Sequence, residues 1–166
     1  MKEPDVIIEW TELPEIPKEP SFFDRFKSAF VRDDVEEELD GEDDPWTWTR
    51  VLYAYFDPDE ELAYIGKAWS STVGSRWDAA DKDKFFAEIE QHGWVPRDII
   101  VYVGQPQVAK GKRLTSQLLK DLESLLIAQV RPWFNTQNRR TRLGRDGMVV
   151  RCTGDWPMHL KTLIDD

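Results

Sequence analysis

Cysteine is almost missing from this chain of 166 residues, where Cys152 stands alone. An internal disulfide framework is thereby excluded, and a reducing compartment is implied. Long apolar runs are missing too. None approaches the ~20 residues that a membrane-spanning helix needs, and the acidic N-terminus is unlike a signal peptide. A cytoplasmic protein without membrane contact is the expectation. Histidine is scarce, and His92 and His159 lie far in sequence from the other chemically promising residues. Basic residues are scarce at one end only: residues 1–46 hold 16 acids and 5 bases, whereas residues 47–166 hold 16 acids and 17 bases. The net charge of −10 therefore belongs to the N-terminal quarter, and it does not exclude a polyanionic partner for the remainder.

Large aromatic residues, by contrast, are abundant. Eight tryptophans and eight phenylalanines supply core area for one domain with an appendage. Residues 1–46 read as the appendage. Four of the ten prolines fall in residues 4–20 among glutamates, so that stretch is expected to be extended and poorly packed. Phe22, Phe26 and Phe30 recur at helical spacing, giving a short aromatic helix. It docks on the protein's own domain or, in the sharper reading, on a protein partner. Residues 33–44 then carry nine acids in twelve positions, a self-repelling and solvated run.

Residues 51–76 organise the rest of the chain. An aromatic strand over residues 48–56 meets the turn Asp57-Pro58-Asp59-Glu60 and returns as a strand over residues 61–65, ended by Gly66. A four-residue loop would set Tyr53 directly opposite Tyr64 on one face of the hairpin. Residues 77–90 read as a helix with a break near Asp81, and residues 98–103 as a third strand bounded by Gly104 and Pro106. In a helix over residues 113–130, Leu118, Leu119, Leu122, Leu125 and Leu126 fill one apolar arc. Glu123 falls inside the edge of that arc, where a carboxylate is costly unless it is paired or binds metal. Arg139, Arg140, Arg142 and Arg145 then form a candidate phosphate-contacting loop, the nearest cationic target for the acidic run. Residues 147–152 read as a strand and residues 156–164 as a short closing helix.

Val51-Leu52-Tyr53, then Tyr64-Ile65-Gly66-Lys67, then Arg76, Glu123 and Asn135 form an ordered set that resembles the GIY-YIG nuclease domain over about residues 47–137. The resemblance implies an α/β (α+β) fold with a small antiparallel three-stranded sheet flanked by helices. Residues 1–46 are then an acidic extension, and residues 138–166 an arginine-rich loop with a C-terminal strand–helix addition. It also implies a metal-dependent endonuclease that hydrolyses phosphodiester bonds in DNA, with RNA left open as substrate. Glu123 would hold a single Mg²⁺ or Mn²⁺ ion, and Arg76 would clamp the non-bridging phosphate oxygens. Tyr53 would position or deprotonate the attacking water, with Tyr64 and Lys67 beside it. Asn135 would lie on the substrate side or hold the helix exit near the site. One position departs from the family, because Ala80 stands where many members carry a histidine or tyrosine one turn after the arginine. Slow or conditional cleavage is the consequence. Two other classes compete: a nucleic-acid-binding module with weakened chemistry, and an interaction protein that acts through its acidic arm.

Overall fold

In the computed structural model, residues 2–14, 44–135 and 145–166 are described. The aromatic stretch at Phe22, Phe26 and Phe30, the acidic run up to residue 43, and Arg139, Arg140 and Arg142 lie outside those residues. Among the described residues, six strands form one mixed sheet: β1 (Val6–Glu12), β2 (Val51–Phe56), β3 (Leu62–Ala68), β4 (Ile100–Val108), β5 (Val149–Gly154) and β6 (Thr162–Ile164). Their order across the sheet is β3-β2-β4-β1-β5-β6. The mixed α and β class is as expected, but the sheet has six strands and not three.

β2 is buried along its whole length because both of its faces are covered. Leu52, Ala54 and Phe56 pack with the leucines of α3 (Ser116–Val130), whereas Tyr53 and Tyr55 pack with residues of α1 (Val73–Trp77) and α2 (Asp83–Gln91). Alternate side chains of a strand point to opposite faces, so one apolar segment serves two cores. The break expected near Asp81 within residues 77–90 is present, and it separates α1 from α2. Ala79 is extended, and a 3-10 turn at Ala80–Lys82 leads into α2. Thr115 caps α3 by accepting the Leu118 amide at 3.1 Å.

The largest departure from the sequence-based expectation is β1. Residues 4–20 were expected to be poorly packed, yet β1 lies inside the sheet, antiparallel to β4 and parallel to β5. Its alternating Val6, Ile8 and Trp10 are at most 3% exposed, and prolines outside the strand mask that period-2 signal. Trp10 stacks on Trp156 at 4.5 Å. β4 also runs through Gly104 and Pro106 to Val108, where it was expected to stop. A Cβ on Gly104 would lie 2.7 Å from Ile8 Cγ2 and 2.9 Å from Trp10 Cε2, so glycine here admits the β1 side chains. Among the described residues only β1 pairs with β4 beyond Gly104, and a proline is tolerated where a strand has one unpaired side. At the C-terminus the expected helix over residues 156–164 is a short strand instead. Leu163 is buried between exposed Thr162 and Ile164, and β6 pairs with β5.

The β2–β3 hairpin also departs from the expected register. Phe56 pairs with Leu62 across a five-residue loop, and Tyr55 pairs with Tyr64, leaving Ala63 as a bulge. Tyr53 is therefore opposite Gly66 rather than Tyr64. The offset is two residues, an even number, so the tyrosines keep their common face. Ring centroids are 6.1 Å apart for Tyr53 and Tyr64 and 5.5 Å for Tyr55 and Tyr64.

Because β1 lies within the sheet, Trp10→Ala is expected to cost about 3–5 kcal/mol and to lower the thermal midpoint by roughly 10 °C or more. A shift below ~2 °C in a calorimetric scan would contradict the central position of β1.

Candidate active site at the hairpin

Gly66 is where the site is built. A Cβ there would collide with the ring and hydroxyl of Tyr53, so the missing side chain provides the seat for that ring. Around it lies an open cleft of about 310 Å³. Tyr53, Tyr64 and Lys67 line it from the hairpin, Arg76 from α1 and Glu123 from α3. Trp69, Ser70, Ser71 and Asp81 complete the lining. The five residues expected to carry catalysis thus share one cleft, although they come from three elements.

Behind the cleft is a lysine that sequence reasoning missed. Lys82 is fully buried, and its Nζ donates to the Tyr53 hydroxyl at 2.9 Å. The ammonium also lies 5.2 Å from the Tyr53 ring centroid and 5.0 Å from that of Tyr64. Burial, reinforced by the nearby Arg76 charge and opposed by Asp81, lowers its pKa to about 8. A signal for it exists in the sequence, since Lys82 precedes Phe85 and Ile89 by three and seven residues and so heads their buried stripe.

The break after α1 redirects Asp81. On a continuous helix it would point away from Arg76, but here its Oδ2 accepts from Arg76 Nη2 at 2.6 Å. Ala80 is exposed and begins the 3-10 turn, so it is not one turn above Arg76 on a common helix. Burial opposes the Arg76 charge, but the neighbouring Tyr53 and the Asp81 carboxylate outweigh it and raise its pKa. Tyr53 is raised well above the usual phenol value, mainly by burial and then by Tyr64, with Arg76 in opposition. Burial likewise raises Tyr64, with Glu123 adding to the effect.

Glu123 is half-buried. Desolvation raises its pKa, against the pull of Lys67, Arg76, Lys82 and Lys120. Among the described residues it forms no ion pair within 4.0 Å. No three histidine, cysteine or acidic residues converge among the described residues. One free carboxylate suits a hard ion such as Mg²⁺ or Mn²⁺, which keeps waters and substrate oxygens as its other ligands.

Asn135 does not line this cleft. Its Oδ1 accepts from the Ile65 amide at 2.7 Å, and its Nδ2 donates to the Ile65 carbonyl at 3.0 Å. With the Trp133 and Phe134 amides donating to Leu62 and Ala63, it covers the outer edge of β3 and fixes the strand that carries Tyr64, Gly66 and Lys67. Arg145 lies elsewhere. Its Nε donates to Asp121 at 2.8 Å, and it lines a separate cleft of about 430 Å³ with Lys2, Lys112 and Arg113. No helix among the described residues is long and apolar enough to cross a membrane.

No protein-family model matches the chain, and no curated protein and no solved structure matches it.

Lys82 gives the site a pH signature. The folded state releases this proton near pH 8, whereas the unfolded chain holds it to 10.5. The unfolded state therefore binds more protons within that window, and stability rises with pH. The gain is on the order of 3 kcal/mol if the window is crossed in full. Above ~10 the buried tyrosines reverse it, because they ionise first in the unfolded chain. Urea unfolding of the parent and of Lys82→Met between pH 7 and 10 should show the rise in the parent alone. Parallel curves for the two proteins would mean that Lys82 carries no buried charge.

Proposed function

We propose that the cleft hydrolyses phosphodiester bonds in DNA as a metal-dependent endonuclease. The observation that carries this reading is the convergence of Tyr53, Tyr64, Lys67, Arg76 and Glu123 on one open, partly cationic cleft. Glu123 would hold Mg²⁺ or Mn²⁺, and the bound ion would supply charge stabilisation at the phosphate and the leaving oxygen. Everything else is assigned to the chain's own groups.

Arg76 offers a planar fork to the non-bridging oxygens, a geometry that a lysine ammonium cannot reproduce. Lys67 adds a point charge at the same cleft. Tyr53 addresses the attacking water, but an isolated phenol with a raised pKa is a poor base. Lys82 offers a way round this. Above pH of about 8 its amine is neutral and can accept the Tyr53 proton as Tyr53 takes one from water. The proton then moves from water to phenol to amine, and the group that finally holds it has a pKa near working pH. This relay fills the role that the resemblance assigns to the position of Ala80. Tyr64 and Tyr55 stack around the Tyr53 ring and restrict its rotation.

A second reading has one observation in its favour. Arg76 is already paired with Asp81 at 2.6 Å, which would suit a module that binds nucleic acid and cleaves it weakly. The two readings differ in turnover, not in the surface used. Incubation with plasmid, single-stranded DNA and RNA, with and without Mg²⁺ or Mn²⁺, separates them and tests the substrate class.

Glu123→Ala is expected to reduce metal-dependent cleavage by about 10²-fold or more and to retain most DNA binding, since phosphate contacts come from cationic side chains. Arg76→Ala should lose cleavage as well, and Arg76→Lys should not restore it. Full activity in purified Glu123→Ala would overturn the endonuclease reading.

A further inference from the structure

Three non-glycine residues have a positive φ among those described: Arg50 at 58°, Glu60 at 64° and Arg131 at 54°. Two of them have local reasons. Glu60 lies in the hairpin loop, and Arg131 is the C-cap of α3, where a left-handed residue is common. Arg50 follows neither rule. It is an exposed, long side chain in a conformation that glycine or asparagine adopts more readily.

Its surroundings relate it to the cleft. The Arg50 amide donates to the Trp69 carbonyl at 3.2 Å, and the Val73 amide donates to the Trp48 carbonyl at 3.1 Å. The chain before β2 is thereby strapped across the loop that carries Trp69, Ser70 and Ser71. The Arg50 guanidinium carbon then lies 5.2 Å from the Trp69 ring centroid, and Trp69 lines the cleft. This cation–π contact restrains a side chain that would otherwise sweep through solvent, while its donors stay unspent. No side-chain hydrogen bond or ion pair engages Arg50 among the described residues.

We infer that Arg50 binds a phosphate of the nucleic-acid strand next to the one held at Arg76, using Trp69 as its platform. This rests on the nuclease reading of the cleft and extends its substrate contacts beyond the reacting phosphate. The chemistry fits that ligand class. A guanidinium held over an aromatic ring with its donors unspent can still offer paired N–H groups, which match the oxygens of a phosphodiester. The left-handed backbone is the feature that a purely structural role does not need, because glycine would hold the same strap with less strain.

Arg50→Gly separates the two roles. DNA binding is measured by fluorescence anisotropy without divalent metal, from 50 to 200 mM salt, for the parent, Arg50→Gly, Arg50→Lys and Arg76→Ala. Arg50→Gly should weaken binding roughly tenfold at low salt, the effect of losing one charge-assisted contact. It should also reduce the slope of log K against log salt by about one, equally for all sequences. Its thermal midpoint should match or exceed that of the parent, since relief of backbone strain offsets the lost stacking. Arg50→Lys should keep the slope and lose affinity. Unchanged binding and slope in Arg50→Gly, with Arg76→Ala impaired, would overturn the assignment and leave the cleft reading intact. Loss confined to particular sequences would overturn it in favour of a base contact. If Arg76→Ala also binds as the parent does, this inference fails, and the nuclease reading fails with it when that variant cleaves as the parent does.

Discussion

Asp57 collects three hydrogen-bond donors on a carboxylate that is only 2% exposed. Its Oδ1 accepts the amides of Asp59 and Glu61 at 2.9 and 3.0 Å, and its Oδ2 accepts the Trp133 indole at 3.0 Å. A buried carboxylate with so many donors holds its surroundings tightly, because losing any of them leaves charge unsatisfied. The first two bonds close the loop at five residues, and the third draws the segment after α3 onto the edge of β3. That loop and the adjoining bulge set the register that puts Gly66 under Tyr53. The seat for the Tyr53 ring and the approach of Lys82 to its hydroxyl depend on the same choice. A turn residue outside the cleft thereby controls the geometry inside it.

The second constraint is the cost of Lys82. A fully buried ammonium is unfavourable in a protein interior, and here the compensation is partial: one phenol oxygen, two aromatic faces, and Asp81 Oδ1 at 3.7 Å. An apolar side chain of similar length would fill the space at lower cost. The lysine persists at a position where folding alone gives no reason for it, directly behind the tyrosine that faces the cleft. The proposed relay would draw on this cost, because a buried amine gives up its proton more readily than an exposed one. Burial acts on both members of the pair, since the phenol resists ionising while the amine resists charging. The neutral pair is the form that the interior favours, and it is the form able to take up one proton.

Parity explains much of what was legible in the sequence. The aromatic strand and the short strand after Asp57-Pro58 were readable from β propensity and turn chemistry, and so were the shared face of Tyr53 and Tyr64 and the position of Glu123 at the edge of a leucine arc. A register error of two residues leaves faces unchanged, so the grouping of the tyrosines survived a wrong partner assignment. What was not legible depends on contacts distant in sequence. The loop length is influenced by Trp133, 76 residues after Asp57. β1 is recognised only by pairing with β4 and β5, and its neighbouring prolines and glutamates argued for an extension. The break near Asp81 was legible, but the direction in which the extended Ala79 turns Asp81 towards Arg76 was not. Lys82 was hidden among four alternating charges, where only its spacing to Phe85 and Ile89 set it apart.

The charge partition of the chain acquires a direction once the fold is known. The acidic run enters the described chain at Asp44, whose carboxylate and carbonyl receive bonds from Trp46 and Thr47. Residues 48–50 then lie along the Trp69–Val73 segment beside the cleft. Arg145 is near the other end of β1, beside Val6 and Val108, while Leu13 continues that strand to Val101. The anchored end of the acidic run is therefore on the side of Arg50 and Arg76, and Arg145 already has Asp121 as a partner. At 0.1 M salt the Debye length is about 10 Å, so charges in the immediate neighbourhood of the cleft influence it far more than distant ones do. A polyanion approaching Arg50 therefore responds to the charges around the cleft, and the net charge of the whole chain is a poor guide to its reception there.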